Sequence, residues 1–167
     1  EVSGELYASE LIKTLKKQNA KLQIDCTGSS RLSDLGARSI LNLSQLSSIG
    51  YTEILPQLMT QIRAFRIIKK YLKEKKPDLI LAIDNQGFNV QILKYEKKIN
   101  LQTAYFIAPQ EWQWGKKENG IKIGKIVDTL FSIFEEEHQF YLECRANSIY
   151  IGHPLKELII TFQKKPV

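Results

Sequence analysis

Two hydrophobic periods alternate along this chain. Leu6, Leu11, Ile12 and Leu15 recur at helical spacing while Lys13, Lys16 and Lys17 face away, which predicts a helix over Ser3–Gln18 with Ser3 as its N-cap. A short strand is expected at Leu22–Cys26, followed by the loop Thr27-Gly28-Ser29-Ser30 and a weakly patterned stretch to Ser48. The longest helical pattern runs from Tyr51 to Lys75 through Ile54, Leu55, Leu58, Ile62, Phe65, Ile68 and Leu72. Pro56 belongs in its first turn, and Lys69, Lys70, Lys73, Lys75 and Lys76 suit the negative end of the helix dipole. Leu79-Ile80-Leu81-Ala82-Ile83 is a continuous apolar run, as expected of a strand buried on both faces of a parallel sheet. Beyond it the pattern predicts a helix at Phe88–Lys98, a strand at Gln102–Ile107, a loop holding Pro109 and a basic helix at Lys116–Val127. A strand at Thr129–Ile133, a helix at Glu135–Glu143 and a strand at Ser148–Ile151 complete the pattern.

Strand–helix–strand alternation predicts the α/β class: a Rossmann-like parallel sheet with helices on both faces and right-handed crossovers. With no internal repeat or linker, residues 1–155 are expected to form one domain and 156–167 a tail or interdomain segment. A doubly wound domain ordinarily opens on a buried strand, whereas this pattern opens on a loop–helix junction. The expectation is a domain lacking its first strand, within a longer protein.

Composition narrows the class without choosing a function. A chain of 167 residues, 43% hydrophobic and 25% charged, is globular in character and long enough to bury a core. Cys26 and Cys144 are far apart in sequence, with no CxxC or Cys/His cluster, so no zinc site is expected; both fit reduced thiols of a cytosolic protein, with a disulfide between them as the alternative. No apolar run reaches the roughly 18–20 residues that cross a bilayer. Lys and Arg outnumber Asp and Glu by 24 to 18, a net charge of +6. That excess is either solvated lysine on helix faces or attraction to an anionic lipid surface or phosphorylated substrate. No nucleic-acid recognition motif is present, and a nucleic-acid partner is not expected.

Ligands of open parallel sheets bind beyond the carboxyl ends of the strands. Here that rule selects Ser3-Gly4, Thr27–Arg31, Asp84–Asn89, and Ala108–Trp114 with Gly152-His153. Asp84 directly follows the apolar run and has two readings: a general base toward a sugar hydroxyl, or the N-cap of the next helix. Neither GxxxxGK[ST] nor GxGxxG occurs, so Val2-Ser3-Gly4 offers only backbone N–H groups to an anion. Pro109-Gln110-Glu111-Trp112-Gln113-Trp114 carries both tryptophans, which either stack on sugar faces or pack beneath the sheet. His153 is open to three roles: base, phosphate contact or structural residue. The apolar stretch with Ile49, Tyr51, Ile54, Leu55, Leu58 and Met59 either buries in its own domain or anchors at a lipid interface, with lysines at the head groups.

Taken together in order, these segments resemble one family. Glu1-Val2-Ser3-Gly4-Glu5-Leu6 resembles the G-E-x-S-G-D opening of the lipid-A-disaccharide synthases, and Ile83-Asp84-Asn85-Gln86-Gly87-Phe88-Asn89 resembles their I-D-x-P-D-F-N. Ala108 to Trp114 is similar to S-P-S-V-W-A-W, while Val127-Asp128 and Gly152-His153-Pro154-Leu155 are similar to V-D and G-H-P-L. Order and spacing agree from Glu1 to about Leu155. The resemblance implies the N-terminal, acceptor- and membrane-side half of a GT-B fold, with the nucleotide-sugar domain absent from this chain. It implies an inverting transfer from UDP-diacylglucosamine to diacylglucosamine 1-phosphate that releases UDP and needs no metal or cofactor. The implied partners are a lipid-linked sugar acceptor, a UDP-sugar donor and an anionic membrane surface. The implied location is cytoplasmic, peripheral on the inner face of the bacterial inner membrane.

By the same resemblance Asp84 is catalytic, and Ser3, Gly4, Glu5, Asn89, Glu111, Trp112 and His153 bind substrate. The membrane patch falls on Ile49, Tyr51, Ile54, Leu55, Leu58 and Met59. The departures are specific. Glu5 replaces the family's Asp, Gln86 and Gly87 replace Pro and Asp, and Gln110 and Glu111 replace Ser and Val. The resulting P-Q-E-W form is similar to that of divergent cyanobacterial-type relatives. These changes bear on the acceptor's identity more than on the reaction class. Two other readings stay open: another lipid-directed GT-B glycosyltransferase, whose Gly-rich first loop Ser3-Gly4 does not supply, and a non-catalytic membrane-binding module on the same fold. Taken alone, this chain is expected to be inactive.

Overall fold

The computed structural model describes residues 2–41 and 54–156, with only the backbone given for residues 2 and 54–58. The chain forms two compact units, Glu1–Asp78 and Leu79–Val167.

The first unit holds α1 (Val2–Gln18), β1 (Asp25–Thr27), α2 (Ser30–Asp34), β2 (Arg38–Leu41) and α3 (Ile54–Lys75). Helix α1 already includes Val2, so Ser3 lies in its first turn and is not the N-cap. The first strand begins at Asp25, later than the pattern predicts. The backbone at Leu22 is held against the end of α1, where its carbonyl accepts from Lys16 Nζ at 2.7 Å and its N–H donates to Asn19 O at 3.1 Å. Strands β1 and β2 pair in parallel, with Asp25 opposite Arg38. Ile12, Leu32 and Ala37 form the buried centre here, and α3 buries Ala64, Ile68 and Leu72 at four-residue steps. One polar cluster ties both strands to α3. Arg38 Nε and Nη2 each donate to an oxygen of Asp25 at 2.8 Å, and Tyr71 Oη donates to the same carboxylate. Burial pushes the Asp25 carboxyl up, but the Arg38 and Tyr71 hydrogen bonds outweigh it and hold the group below the usual carboxylate range.

The second unit holds β3 (Leu79–Ile83), α4 (Gln86–Lys98), β4 (Gln102–Phe106), α5 (Glu111–Trp114), α6 (Lys117–Ile126), β5 (Thr129–Ser132), α7 (Glu135–Glu143) and β6 (Ser148–Tyr150). Its four strands lie in the order β3-β4-β5-β6, all parallel. The α/β class and the parallel pairing are as the alternation predicts. Strand β3 departs from two-sided burial: only Ala82 is buried, and Leu79 is 57% exposed, because β3 is an edge of this sheet and only β4 pairs with it among the described residues. Leu93, Tyr105, Leu130 and Tyr141 are fully buried in the core. Helix α6 fits closely because of its glycines. A Cβ at Gly120 would meet Cys144 Sγ at 2.6 Å and the Phe140 ring at 2.7 Å.

Polar groups fix the amino edge of this sheet. Asp128 Oδ2 accepts from the Thr103 N–H and hydroxyl, each at 2.9 Å, and Oδ1 accepts from Lys97 at 2.9 Å. Val127-Asp128 therefore acts as a latch between the starts of β4 and β5, at the end of the strands opposite Asp84.

Two glutamates are almost completely buried and have no cation partner among the described residues. Glu137 accepts from Ile133 N at 2.8 Å and Phe134 N at 3.4 Å, closing the first turn of α7. Glu96 is 0% exposed, and neither carboxyl oxygen has a hydrogen-bond partner among the described residues. Burial pushes each of these carboxyls up to about 7. Their ordinary value is 4.5, so between pH 4.5 and about 7 the folded state binds more protons than the unfolded state. Stability therefore falls as pH rises through that window. The Glu96→Gln variant is expected to be more stable than the unmodified chain at pH 8, by on the order of 1–3 kcal/mol, and to gain little at pH 4.5. Urea denaturation at the two pH values measures this, and an equal gain at both would contradict an ionising Glu96.

Candidate functional site

The candidate site is built at the carboxyl edge of β3 and β4. Asp84 and Asn85 follow β3 in left-handed backbone, with φ of 51° and 40°. Few residues other than glycine tolerate that region, and Asp and Asn are the ones that do so best. Hydrogen bonds fix the corner from several directions. Asp84 N donates to Phe106 O at 3.1 Å, the Tyr105 hydroxyl donates to Asp84 O at 2.7 Å, and Asn85 N donates to Asp84 Oδ1 at 2.9 Å. Asn89 reaches back from α4, its Nδ2 donating to Ile83 O at 3.0 Å and Asp84 O at 2.8 Å. The N-cap position of α4 belongs to Asn85, whose side chain faces Phe88 N, and α4 starts at Gln86. Asp84 thus stands one residue ahead of the cap.

Beside this corner lies a cavity of about 190 Å³, lined by Asp84, Gln86, Tyr105, Ile107, Ala108, Pro109 and Gln110. Ile107, at the end of β4, also has a positive φ, 59°. A β-branched residue there is a true outlier, so strained backbone occurs at both strand ends that border the cavity. Tyr105 and Ile107 line the cavity without being singled out by the sequence pattern, and Gln86 and Gln110 stand out in it only as motif departures. The usable signal is the pair of motif departures at positions 86 and 110–111.

Glu111 opens α5, which the pattern reads as loop, and it is only 8% exposed. Its Oε1 accepts from Gln86 Nε2 at 2.6 Å and its Oε2 accepts from Asn119 Nδ2 at 3.0 Å. Gly115 passes so close that a Cβ there would lie 1.8 Å from Glu111 Oε2. The two tryptophans diverge. Trp114 is 85% exposed, whereas the Trp112 ring lies 5.6 Å from Phe134, which in turn lies 5.5 Å from the His153 ring. The Trp112 indole N–H is buried without a hydrogen-bond partner among the described residues. His153 Nδ1 accepts from Leu155 N at 3.3 Å. Trp112 and His153 therefore share an aromatic row through Phe134, and neither lines the cavity at Asp84.

Ser3, Gly4 and Glu5 belong to the first unit. Ser3 is exposed and Gly4 half-buried, in the first turn of α1. Both Glu5 oxygens are engaged by Ser29, through N at 2.7 Å and Oγ at 2.8 Å. This clamps the loop between β1 and α2 onto α1. Ile49 and Tyr51 lie outside the described residues, as do the side chains of Ile54, Leu55 and Leu58. Met59 is 65% exposed on α3. Among the described residues, no helix is long and apolar enough to cross a membrane, and no cluster of His, Cys, Asp and Glu forms a metal-binding group.

Comparison with known proteins agrees with the motif order. The family model for lipid-A-disaccharide synthetase matches residues 1–166. Lipid-A-disaccharide synthase 1 of Legionella pneumophila (strain Lens) is 36% identical over 167 residues, covering 99% of this chain and 43% of that protein. The lipid-A-disaccharide synthase of Coxiella burnetii is 32% identical over 157 residues, covering 93% of this chain and 41% of its own length. That of Gloeothece citriformis is 36% identical over 162 residues, covering 93% and 42% respectively. This chain thus spans about two-fifths of the length of the curated relatives it matches. With its motifs seated on a parallel α/β framework and a family match along nearly its whole length, the chain belongs to the lipid-A-disaccharide synthase family.

Proposed function

We propose that this chain is the acceptor side of a lipid-A-disaccharide synthase, an inverting glycosyltransferase of lipid A biosynthesis. The observation that carries the reading is the placement of Asp84, at the carboxyl edge of the sheet, on the wall of a cavity and on a backbone corner fixed by Tyr105 and Asn89. Diacylglucosamine 1-phosphate is the acceptor, with its reacting hydroxyl in the cavity. UDP-diacylglucosamine is the donor, held by the part of the protein beyond this chain. The acceptor oxygen bonds to the anomeric carbon on the face opposite UDP. Its proton passes to the Asp84 carboxylate, and the carbon–oxygen bond to UDP breaks, so that UDP leaves with the electron pair. Asn89 and Tyr105 hold the Asp84 backbone, so that the base waits in place with little freedom to lose. This chain spans about two-fifths of its relatives' length, and assayed by itself with both substrates it is expected to show no turnover.

The reading extends to the membrane. A net charge of +6 and an exposed Met59 on α3 favour an anionic bilayer surface, where the acyl chains of both substrates reside.

Two outcomes follow. In the full-length protein, Asp84→Asn is expected to lower turnover by about 10²–10⁴-fold, with the circular dichroism spectrum unchanged. Wild-type turnover in that variant would remove Asp84 from the mechanism. Sedimentation with vesicles containing anionic lipid is expected to carry the chain down, less so as salt is raised well above about 0.1 M and less so for Met59→Ser. Binding indifferent to both changes would contradict the membrane reading.

A further inference from the structure

Two departures from the family motifs are a single interaction in three dimensions. Gln86 stands where the I-D motif has proline, and Glu111 stands where the tryptophan motif has valine. The two are 25 positions apart and joined by a 2.6 Å hydrogen bond. Neither proline nor valine has a side chain that can make it. A carboxylate only accepts, so the amide nitrogen of Gln86 must face Glu111 and its Oε1 must turn away. That oxygen has no hydrogen-bond partner among the described residues. Gln86 is exposed and lines the cavity together with Asp84.

The supporting side of this bond is rigid. Glu111 is 8% exposed, its second oxygen is held by Asn119 at 3.0 Å, and Gly115 leaves room for the carboxylate where any Cβ would overlap it. A buried carboxylate with amide partners and no cation is an expensive arrangement. It gives no reason in packing for the partner at position 86 to be an exposed residue. It does fix the direction of an amide that would otherwise be free to turn.

We propose that Gln86 is an acceptor-specificity residue. Its Oε1 accepts a hydrogen bond from a second hydroxyl of the acceptor sugar, adjacent to the hydroxyl that reacts at Asp84. Glu111 is a positioning residue that acts through Gln86. This rests on the reading of the Asp84 cavity as the acceptor site. The polar pair makes the cavity wall selective for a sugar ring that offers a second free hydroxyl, where proline and valine would present an apolar surface.

Steady-state kinetics of the full-length enzyme with the acceptor varied test it. Gln86→Ala is expected to raise the acceptor KM roughly fivefold, the size of one net neutral hydrogen bond, with the loss absent from kcat and from the donor KM. The same variant should no longer distinguish the acceptor from its deoxy analogue lacking the second hydroxyl. Glu111→Gln should raise the acceptor KM as well, but add nothing in the Gln86→Ala background. The exchanged pair, Gln86→Glu with Glu111→Gln, re-forms the bond with its polarity reversed and should restore the acceptor KM, while Gln86→Glu alone sets two carboxylates face to face and should not. An unchanged acceptor KM in Gln86→Ala would overturn the proposal, as would a full additional loss from Glu111→Gln in that background. Should Glu111→Gln fail to fold, Gln86→Ala at its exposed position still decides. Failure of the acceptor-site reading is seen separately, as turnover retained in Asp84→Asn.

Discussion

The second unit depends on how one backbone corner is held. Residues 84 and 85 turn left-handed straight after β3, a conformation that is unfavourable for each of them by on the order of 1 kcal/mol. The corner persists because its carbonyl and N–H groups are all engaged by elements that are themselves fixed. The Tyr105 hydroxyl comes from a fully buried residue of β4, the Asn89 amide from α4, and the Phe106 carbonyl from the strand paired along the whole length of β3. Loss of both side-chain partners would strip the Asp84 carbonyl of its two side-chain donors at a strained site, and the two costs would act together. The start of α4, the direction of Gln86 and the wall of the cavity all follow from that corner.

The large elements of this unit could be read from the sequence because each has a long apolar signal with polar punctuation. The run Leu79–Ile83, the Ala-Tyr-Phe core of β4 and the Thr129–Ser132 strand fall within a residue or two of expectation. Short elements could not be read in this way. Helix α2 has five residues and buries only Leu32, and α5 has four, so neither is long enough to repeat a helical period. The start of α4 was displaced because Gln86-Gly87 carries no helix-start signal, while the real cap, Asn85, sits in a left-handed conformation no pattern announces. Asp84 could be singled out because a carboxylate directly after an apolar strand is conspicuous. Tyr105 could not: an aromatic in a strand reads as packing, and the destination of its hydroxyl depends on the pairing of β3 with β4. Asp128 shows the reverse case. Its motif is easy to see, but only the register places it at the amino edge, on Thr103 and Lys97.

Three buried glutamates show why burial alone does not assign a role. Glu137 closes a helix turn by accepting two backbone N–H groups, a local task that its position three residues into α7 requires. Glu96 has no hydrogen-bond partner among the described residues, and below its shifted titration range it is a neutral acid in the core. Glu111 differs from both, because its partners are side-chain amides from two other helices and one of them, Gln86, lines the cavity. Direction of the partner, rather than depth of the carboxylate, separates a structural acid from one that shapes a site.

That distinction also bears on precision. A side chain on an exposed helix start normally samples several rotamers, and ordering it on binding would cost roughly 0.5–1.5 kcal/mol. Trp114, 85% exposed, shows what an unheld residue of the same region looks like. Gln86 is exposed as well, yet its amide is already committed to a carboxylate that Asn119 and Gly115 confine. The cost of ordering it is met in folding, before any ligand arrives. Asp84 reaches the same condition by a different route, through its backbone. Two neighbouring groups on one cavity wall are thus pre-set by independent means, and a ligand that engages both gains the most from that arrangement.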